Sequence, residues 1–277
     1  MTVSDVITDR FYSSWQGCII RVNWLSRKYF FVVKKSLKLF ICLVIFVNIY
    51  LMPSNSFAYR PFVSTDASVA QKDKFELELG VFQLRHQDKE NELVVPSARI
   101  NYGVIKNWEL VGESEIQIYK EGEGRNFEVK DPAVSLKGIL HEGILQGKDG
   151  PSLSIELSAL VPSTVKGERN TGVSGVGILA YKFSNLVYHI NAGMELDRSG
   201  VGPNAIWGVI LEYPFEGEFR VVGEINGVVK NEGLPETSGL VGFIWKINGI
   251  DLDFGARKGF SDVASDWELT SGMTLYF

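Results

Sequence analysis

A period of two runs to the last residue of this chain and leaves few folds open to it. From Asp266 it reads Asp-Trp-Glu-Leu-Thr-Ser-Gly-Met-Thr-Leu-Tyr-Phe. Trp267, Leu269, Met273, Leu275 and Phe277 form one set; Glu268, Thr270, Gly272, Thr274 and Tyr276 form the other. That spacing puts the two sets on opposite faces of a strand. The chain stops on a bare aromatic, whereas the termini of soluble domains tend to be polar and frayed. The same alternation recurs upstream. Phe75, Leu77, Leu79 and Val81 interleave with Glu76, Glu78 and Gly80, and Leu186, Tyr188, Ile190, Ala192 and Met194 interleave with His189, Asn191, Gly193 and Glu195. No stretch after Ala58 holds a helical period over three turns. The pattern predicts about twelve strands, at 74–85, 92–105, 108–119, 127–140, 152–161, 173–183, 186–196, 204–213, 218–229, 237–247, 250–258 and 266–277.

The connections carry a second pattern. Lys106-Asn107, Ser184-Asn185, Pro214 to Gly217 and Asn248-Gly249 read as tight turns, with Asn-Gly the strongest hairpin signal. Longer polar loops fall between them, at 121–125, 162–171, 197–203, 230–236 and 259–265. His141 to Pro151 breaks the alternation by being long where a short turn is expected. Short turns on one side and longer loops on the other describe an antiparallel transmembrane β-barrel, all-β, with an even strand count. A soluble β-sandwich also alternates. It would struggle to bury twelve apolar faces in one core, and here the polar faces carry many full charges. Aromatics stand near strand ends (Tyr102, Trp108, Tyr119, Tyr181, Tyr213, Trp245, Trp267, Phe277), as interfacial girdles require.

The first 58 residues differ from the rest. Lys34, Lys35 and Lys38 form a basic patch, Leu39 to Leu51 is an apolar run broken only by Asn48, and Phe57-Ala58 ends in a small residue. This is the layout of a secretory signal over 34–58 with cleavage after Ala58. A membrane anchor is the rival reading, but a spanning helix needs about 20 apolar residues. Residues 1–33 fit no signal n-region, and we expect the true start near Val32 or Val33. Residues 59–73 are then an N-terminal segment in the periplasm or the barrel lumen, and 74–277 the barrel.

Of the 28 Lys and Arg and 33 Asp and Glu in the chain, seven basic and two acidic residues precede position 59, leaving 21 and 31, a net of −10. Such a body will not seek nucleic acid through bulk charge. Both cysteines, Cys18 and Cys42, precede the barrel, so it has no disulfide and no thiolate chemistry.

Two stretches carry a family resemblance. Pro61-Phe62-Val63-Ser64-Thr65-Asp66-Ala67 leads into Lys74-Phe75-Glu76-Leu77-Glu78-Leu79-Gly80. Together with the hairpin layout and the aromatic last strand, this resembles outer-membrane barrels catalogued under the label "MetA-pathway of phenol degradation". Ser64 and Ser68 depart from the family's usual Asp-Asp-Ala-Gly. The resemblance implies uptake of aromatic or other small solutes. It also implies outer-membrane lipid and the barrel-insertion machinery as partners, with Met273, Leu275 and Phe277 as the insertion signal. It supplies no catalytic residues.

Enzyme chemistry is sparse. His86, His141 and His189 lie at no metal-ligand spacing from one another. Gly175-Val176-Gly177-Ile178-Leu179-Ala180 mimics a dinucleotide fingerprint but sits inside a strand with no helix after it. A barrel lipid hydrolase could pair His189 with Ser174 or Ser158; this is the third reading. No enzyme activity, cofactor or metal is expected.

The chemistry of most interest is on the inward face, where Arg99, Glu113, Glu115, Glu156, His189, Glu195, Arg220, Glu224, Asp251, Asp253 and Arg257 are expected to line the lumen, with Glu76, Glu78, Glu109 and Glu268 beside them. Carboxylates outnumber arginines, and unpaired buried charges cost several kcal/mol, so some should meet water. The first reading is therefore an acid-lined channel for passive or weakly selective solute uptake. The second is a plugged structural or surface-interaction barrel.

Overall fold

The computed structural model describes residues 60–277 apart from 89, 122–123, 166–167 and 216. The signal, its cleavage after Ala58, the start near Val32 and the segment 1–33 lie outside the described residues, as does the side chain of Tyr119.

Twelve antiparallel strands follow one another around a closed barrel: β1 (Phe75–Gln87), β2 (Glu90–Ile105), β3 (Trp108–Glu121), β4 (Gly124–His141), β5 (Ser152–Leu160), β6 (Gly172–Phe183), β7 (Leu186–Leu196), β8 (Pro203–Pro214), β9 (Phe219–Val229), β10 (Glu236–Ile247), β11 (Ile250–Gly259) and β12 (Trp267–Tyr276). The expected strand count and all-β class hold. β1 closes on β12, with Glu76 opposite Tyr276 and Leu79 opposite Met273. Closure leaves no unpaired edge, which is the condition for strands to cross hydrocarbon. Each strand has at least nine residues, enough to span a bilayer when tilted.

The side chains sort by the alternation. In β12, Glu268, Thr270, Gly272, Thr274 and Tyr276 are buried, while Leu269, Met273 and Leu275 are half-buried and Trp267 is exposed. The large exposed hydrophobics come from all twelve strands, from Phe75 and Ile100 through Leu157 and Val241 to Trp267. The exterior is therefore apolar and the interior polar, the inverse of a soluble domain. Phe75 stacks on Tyr102 with ring centroids 4.4 Å apart, and Phe243 lies between Phe219 and Phe254 at 5.3 and 5.8 Å.

Bulges interrupt the period where the sequence suggested none. Between Gly80 and Phe82 of β1 the register with β12 shifts. Val81 and Phe82 both point out, and Gln83 and Arg85 turn in. β2 shifts opposite it, between Val94 and Ser97. A bulge moves the chain by one residue, so every later side chain changes face.

The tight turns at Lys106-Asn107, Ser184-Asn185 and Asn248-Gly249 use positive φ at Asn107 (68°), Ser184 (55°), Asn248 (50°) and Gly249 (79°). The expected loop 121–125 is mostly strand, since β3 runs to Glu121 and β4 starts at Gly124. The long connection after β4 holds a 3-10 turn, Ile144–Gln146, and no α-helix occurs among the described residues. Glu142 anchors that connection. Lys148 pairs with it, Asn107 donates to it at 2.7 Å and Lys106 reaches it at 2.9 Å. These bonds, that of Lys148 first, hold its carboxyl down at about 2.

Candidate functional site

The lumen is not empty space, because the segment from Arg60 to Ala70 lies inside it. Its anchors come from eight of the twelve strands. Arg60 donates to Ser97 (β2, 3.0 Å) and Thr270 (β12, 2.8 Å) and stands 3.4 Å from Asp253 (β11). The amides of Val63 and Ser64 donate to the Glu224 carboxylate (β9) at 3.1 and 2.6 Å. The Thr65 amide donates to Asn191 (β7, 3.2 Å), and its hydroxyl to Glu156 (β5, 2.9 Å). Asp66 accepts from Lys137 (β4, 2.8 Å). The Ala67 amide donates to His189 Nδ1 at 3.3 Å, and the Ala70 amide to Glu109 (β3) at 2.6 Å. Lys72 then bridges Gly103, and the chain enters β1.

An extended peptide in a charged lumen has amides to satisfy and no sheet to satisfy them. Here the wall supplies acceptors. The acid excess legible in the sequence is thus met partly by backbone N–H groups and not by water alone. Thr65, Asp66 and Ala67, the core of the motif behind the family resemblance, are buried at the centre of this contact. The segment also has an apolar footing. Phe62 packs with Ile210, Val222, Leu240 and Ile244, and Ala67 with Ile178 and Ala180, all on the inner wall.

Glycines leave room for it. A Cβ on Gly80 would overlap Ser97 Oγ and stand 2.6 Å from Arg60 Nη1. One on Gly272, directly across the β1–β12 seam, would overlap Arg60 Nε, and one on Gly208 would overlap Ser64 Oγ.

The charged residues of the inner wall are joined mostly in ion pairs. Arg99 bonds Glu113 at 2.6 Å and Glu156 at 3.0 Å. Arg220 joins Glu212 at 2.7 Å to Asp251 at 2.8 Å, and the Tyr276 hydroxyl donates to Asp251 at 3.1 Å. Asp253 faces Arg60, as above. Arg257 bonds Glu224 at 2.5 Å. His189 accepts at Nδ1, so its hydrogen sits on Nε2, 3.2 Å from Glu212. Glu115 joins Glu92 and Glu268 around Arg85, at 3.4, 3.1 and 3.0 Å. Glu195 stands apart.

Several residues of this wall escaped sequence reasoning. Arg85 was hidden by the bulge before it. Glu212 follows Ile206 and Ile210 on an inward face that reads as apolar, and Lys137 stands among Ala133, Ser135 and Ile139 on its strand face. Arg60 precedes every strand. The glycines opposite the segment were the signal that could have revealed it.

The serine partners considered for His189 are not brought to it. Ser158 bonds Ser135 at 2.7 Å, and Ser174 pairs across the β6–β7 ladder with Glu195. The described residues hold no group of three metal-ligating side chains.

Toward the loop end the segment leaves a cavity of about 400 Å³, floored by Arg60 to Val63 and walled by residues including Arg85, Arg99, Glu195 and Glu268.

No family model and no curated protein matches the chain. Among solved structures it is similar to an outer membrane channel from Pseudomonas putida F1, at 8% identity and a TM-score of 0.56 over 76% of this chain and 97% of that one. This likeness speaks to the barrel fold. Overlaps with the translocator domain of the autotransporter NalP from Neisseria meningitidis (11% identity, TM-score 0.38, 75% and 88% covered) and the outer membrane channel DcaP of Acinetobacter baumannii (11%, 0.33, 74% and 95%) are too loose to add to it.

Proposed function

We propose that the protein is an outer-membrane channel for passive or weakly selective uptake of a small solute. The observation that carries this reading is a closed barrel, apolar outside and charged inside, that keeps a cavity of about 400 Å³ within its wall. A ring of strands satisfies its own backbone in lipid, and a charged inner face around a remaining cavity suits the passage of water or a solute. The expected signal at 34–58 and the terminal Met273, Leu275 and Phe277 support export and insertion by the barrel machinery. The family resemblance supports an aromatic or other small solute. The segment 60–73 is the gate in this reading.

The same segment favours the second reading, a plugged barrel with a structural or surface-interaction role, because eight strands hold it. Planar-bilayer conductance with reversal-potential measurement separates the two. Discrete, cation-preferring steps are expected of the channel. Silence from protein proven folded and inserted assigns the plugged role.

A further inference from the structure

The cavity at the loop end is unbalanced in charge. Each of its four arginines is already in an ion pair: Arg60 with Asp253, Arg85 with Glu115 and Glu268, Arg99 with Glu113, and Arg198 with Asp131 at 3.1 Å. Two carboxylates on the cavity wall fall outside these pairs. Glu195 of β7, half-buried, has neither an ion-pair nor a hydrogen-bond partner among the described residues. Glu78 of β1 is only 2% exposed. Its Oε1 accepts from Asn101 at 2.8 Å, while its Oε2 is buried with no hydrogen-bond partner.

An ionised carboxylate held away from water without a cation is costly. Neighbouring carboxylates on this wall escape that cost through arginine, lysine or peptide N–H, so the exception is local. The cavity also presents carbon. Phe62, Val63, Ala133 and Leu160 contribute to its lining, and Val63 is 57% exposed on the floor. Its size falls within the range of small-molecule sites, about 300–1,000 Å³. A metal ion would leave that apolar lining unused.

We propose that this cavity is a binding site for a small organic cation, an ammonium or guanidinium carried on an apolar body, with Glu195 and Glu78 as its anionic anchors. Arg60 and the arginines of the wall repel such a cation less than the free carboxylates attract it, because their own charge is already met. The inference rests on the channel reading for how the ligand is used, since it names the solute class that the vestibule would retain, but binding is measured independently of flow.

The test is calorimetry on the full protein, folded in detergent, with three five-carbon probes: 1,5-diaminopentane, 1,5-pentanediol and glutarate. Saturable binding of the diamine alone is expected, falling as salt is raised. Glu195→Gln should weaken it tenfold or more. That side chain is only half-buried and unpartnered, so the variant should fold, which a gel shift on boiling verifies. Glu78→Gln should weaken it further in the double variant. Absence of saturable diamine binding to the folded barrel overturns the proposal, as does equal binding of the diol or glutarate, or unchanged affinity in Glu195→Gln. Conductance steps without diamine binding would remove this site and leave the channel. Diamine binding to a barrel that does not conduct would keep the site and remove the channel.

Discussion

Replacing Glu224 by Gln tests whether the N-terminal segment is the gate. The Glu224 carboxylate accepts the amides of Val63 and Ser64 and pairs with Arg257, and it is almost fully buried. Gln keeps an acceptor oxygen of the same reach but removes the charge. Hydrogen bonds to a charged group contribute about 1.5–3 kcal/mol, and neutral ones about 0.5–1.5. The loss is therefore about 1 kcal/mol for each amide and about 2 kcal/mol for the segment, roughly a 30-fold shift toward release. Other anchors on the segment still hold, so release should be partial and reversible. In single-channel records the open fraction should rise by that order while the unit conductance stays the same. The gel shift on boiling should be retained, which separates gating from unfolding. An unchanged open fraction in a folded Glu224→Gln barrel would refute the idea that these bonds close the lumen.

Other outcomes follow from the same geometry. Deleting residues 60–72 should give larger, steady conductance steps, and steps identical to the intact protein would show that the segment does not limit flow. Gly208→Ala places a methyl onto Ser64 Oγ and 3.0 Å from Ser64 Cβ, so it should loosen the segment and raise the open fraction, whereas Gly112→Ala, which meets nothing within 4 Å, should not. Val241→Arg, at a position 70% exposed on the outer face of β10, should cost about 2–4 kcal/mol of insertion stability in vesicle refolding titrations. A value near zero would mean that this face meets water. Glu142 should titrate near 2 by carboxyl NMR, with its local contacts intact above the ordinary carboxylate range and lost as pH falls through that value, because its folded pKa is depressed. A midpoint in the ordinary carboxylate range would sink the three-donor arrangement.

Much of this molecule was legible before folding was considered. The period of two is a local property, so strands could be counted and faces assigned from residue identity alone, and the Asn-Gly turn marks itself. Arg99, Glu224, Asp251 and Arg257 share that parity, and all four are buried. Parity fails where a bulge resets it, which is why Arg85 went unseen while Glu78, on the unbroken half of the same strand, did not. It also says nothing of an apolar inner patch, because Ile210, Leu240 and Ile244 carry the same signal whether they face lipid or Phe62.

Residue order alone is enough for the strands, the two faces and the sign of the inner wall, because alternation and charge are written position by position. Which carboxylates find partners is a matter of the closed fold. That depends on contacts between residues far apart in the chain, such as Arg60 with Thr270, 210 positions on, and on a segment with no periodic signal of its own. Its placement follows from the need of its amides and of buried carboxylates for partners, a condition that exists only once the barrel has closed around both.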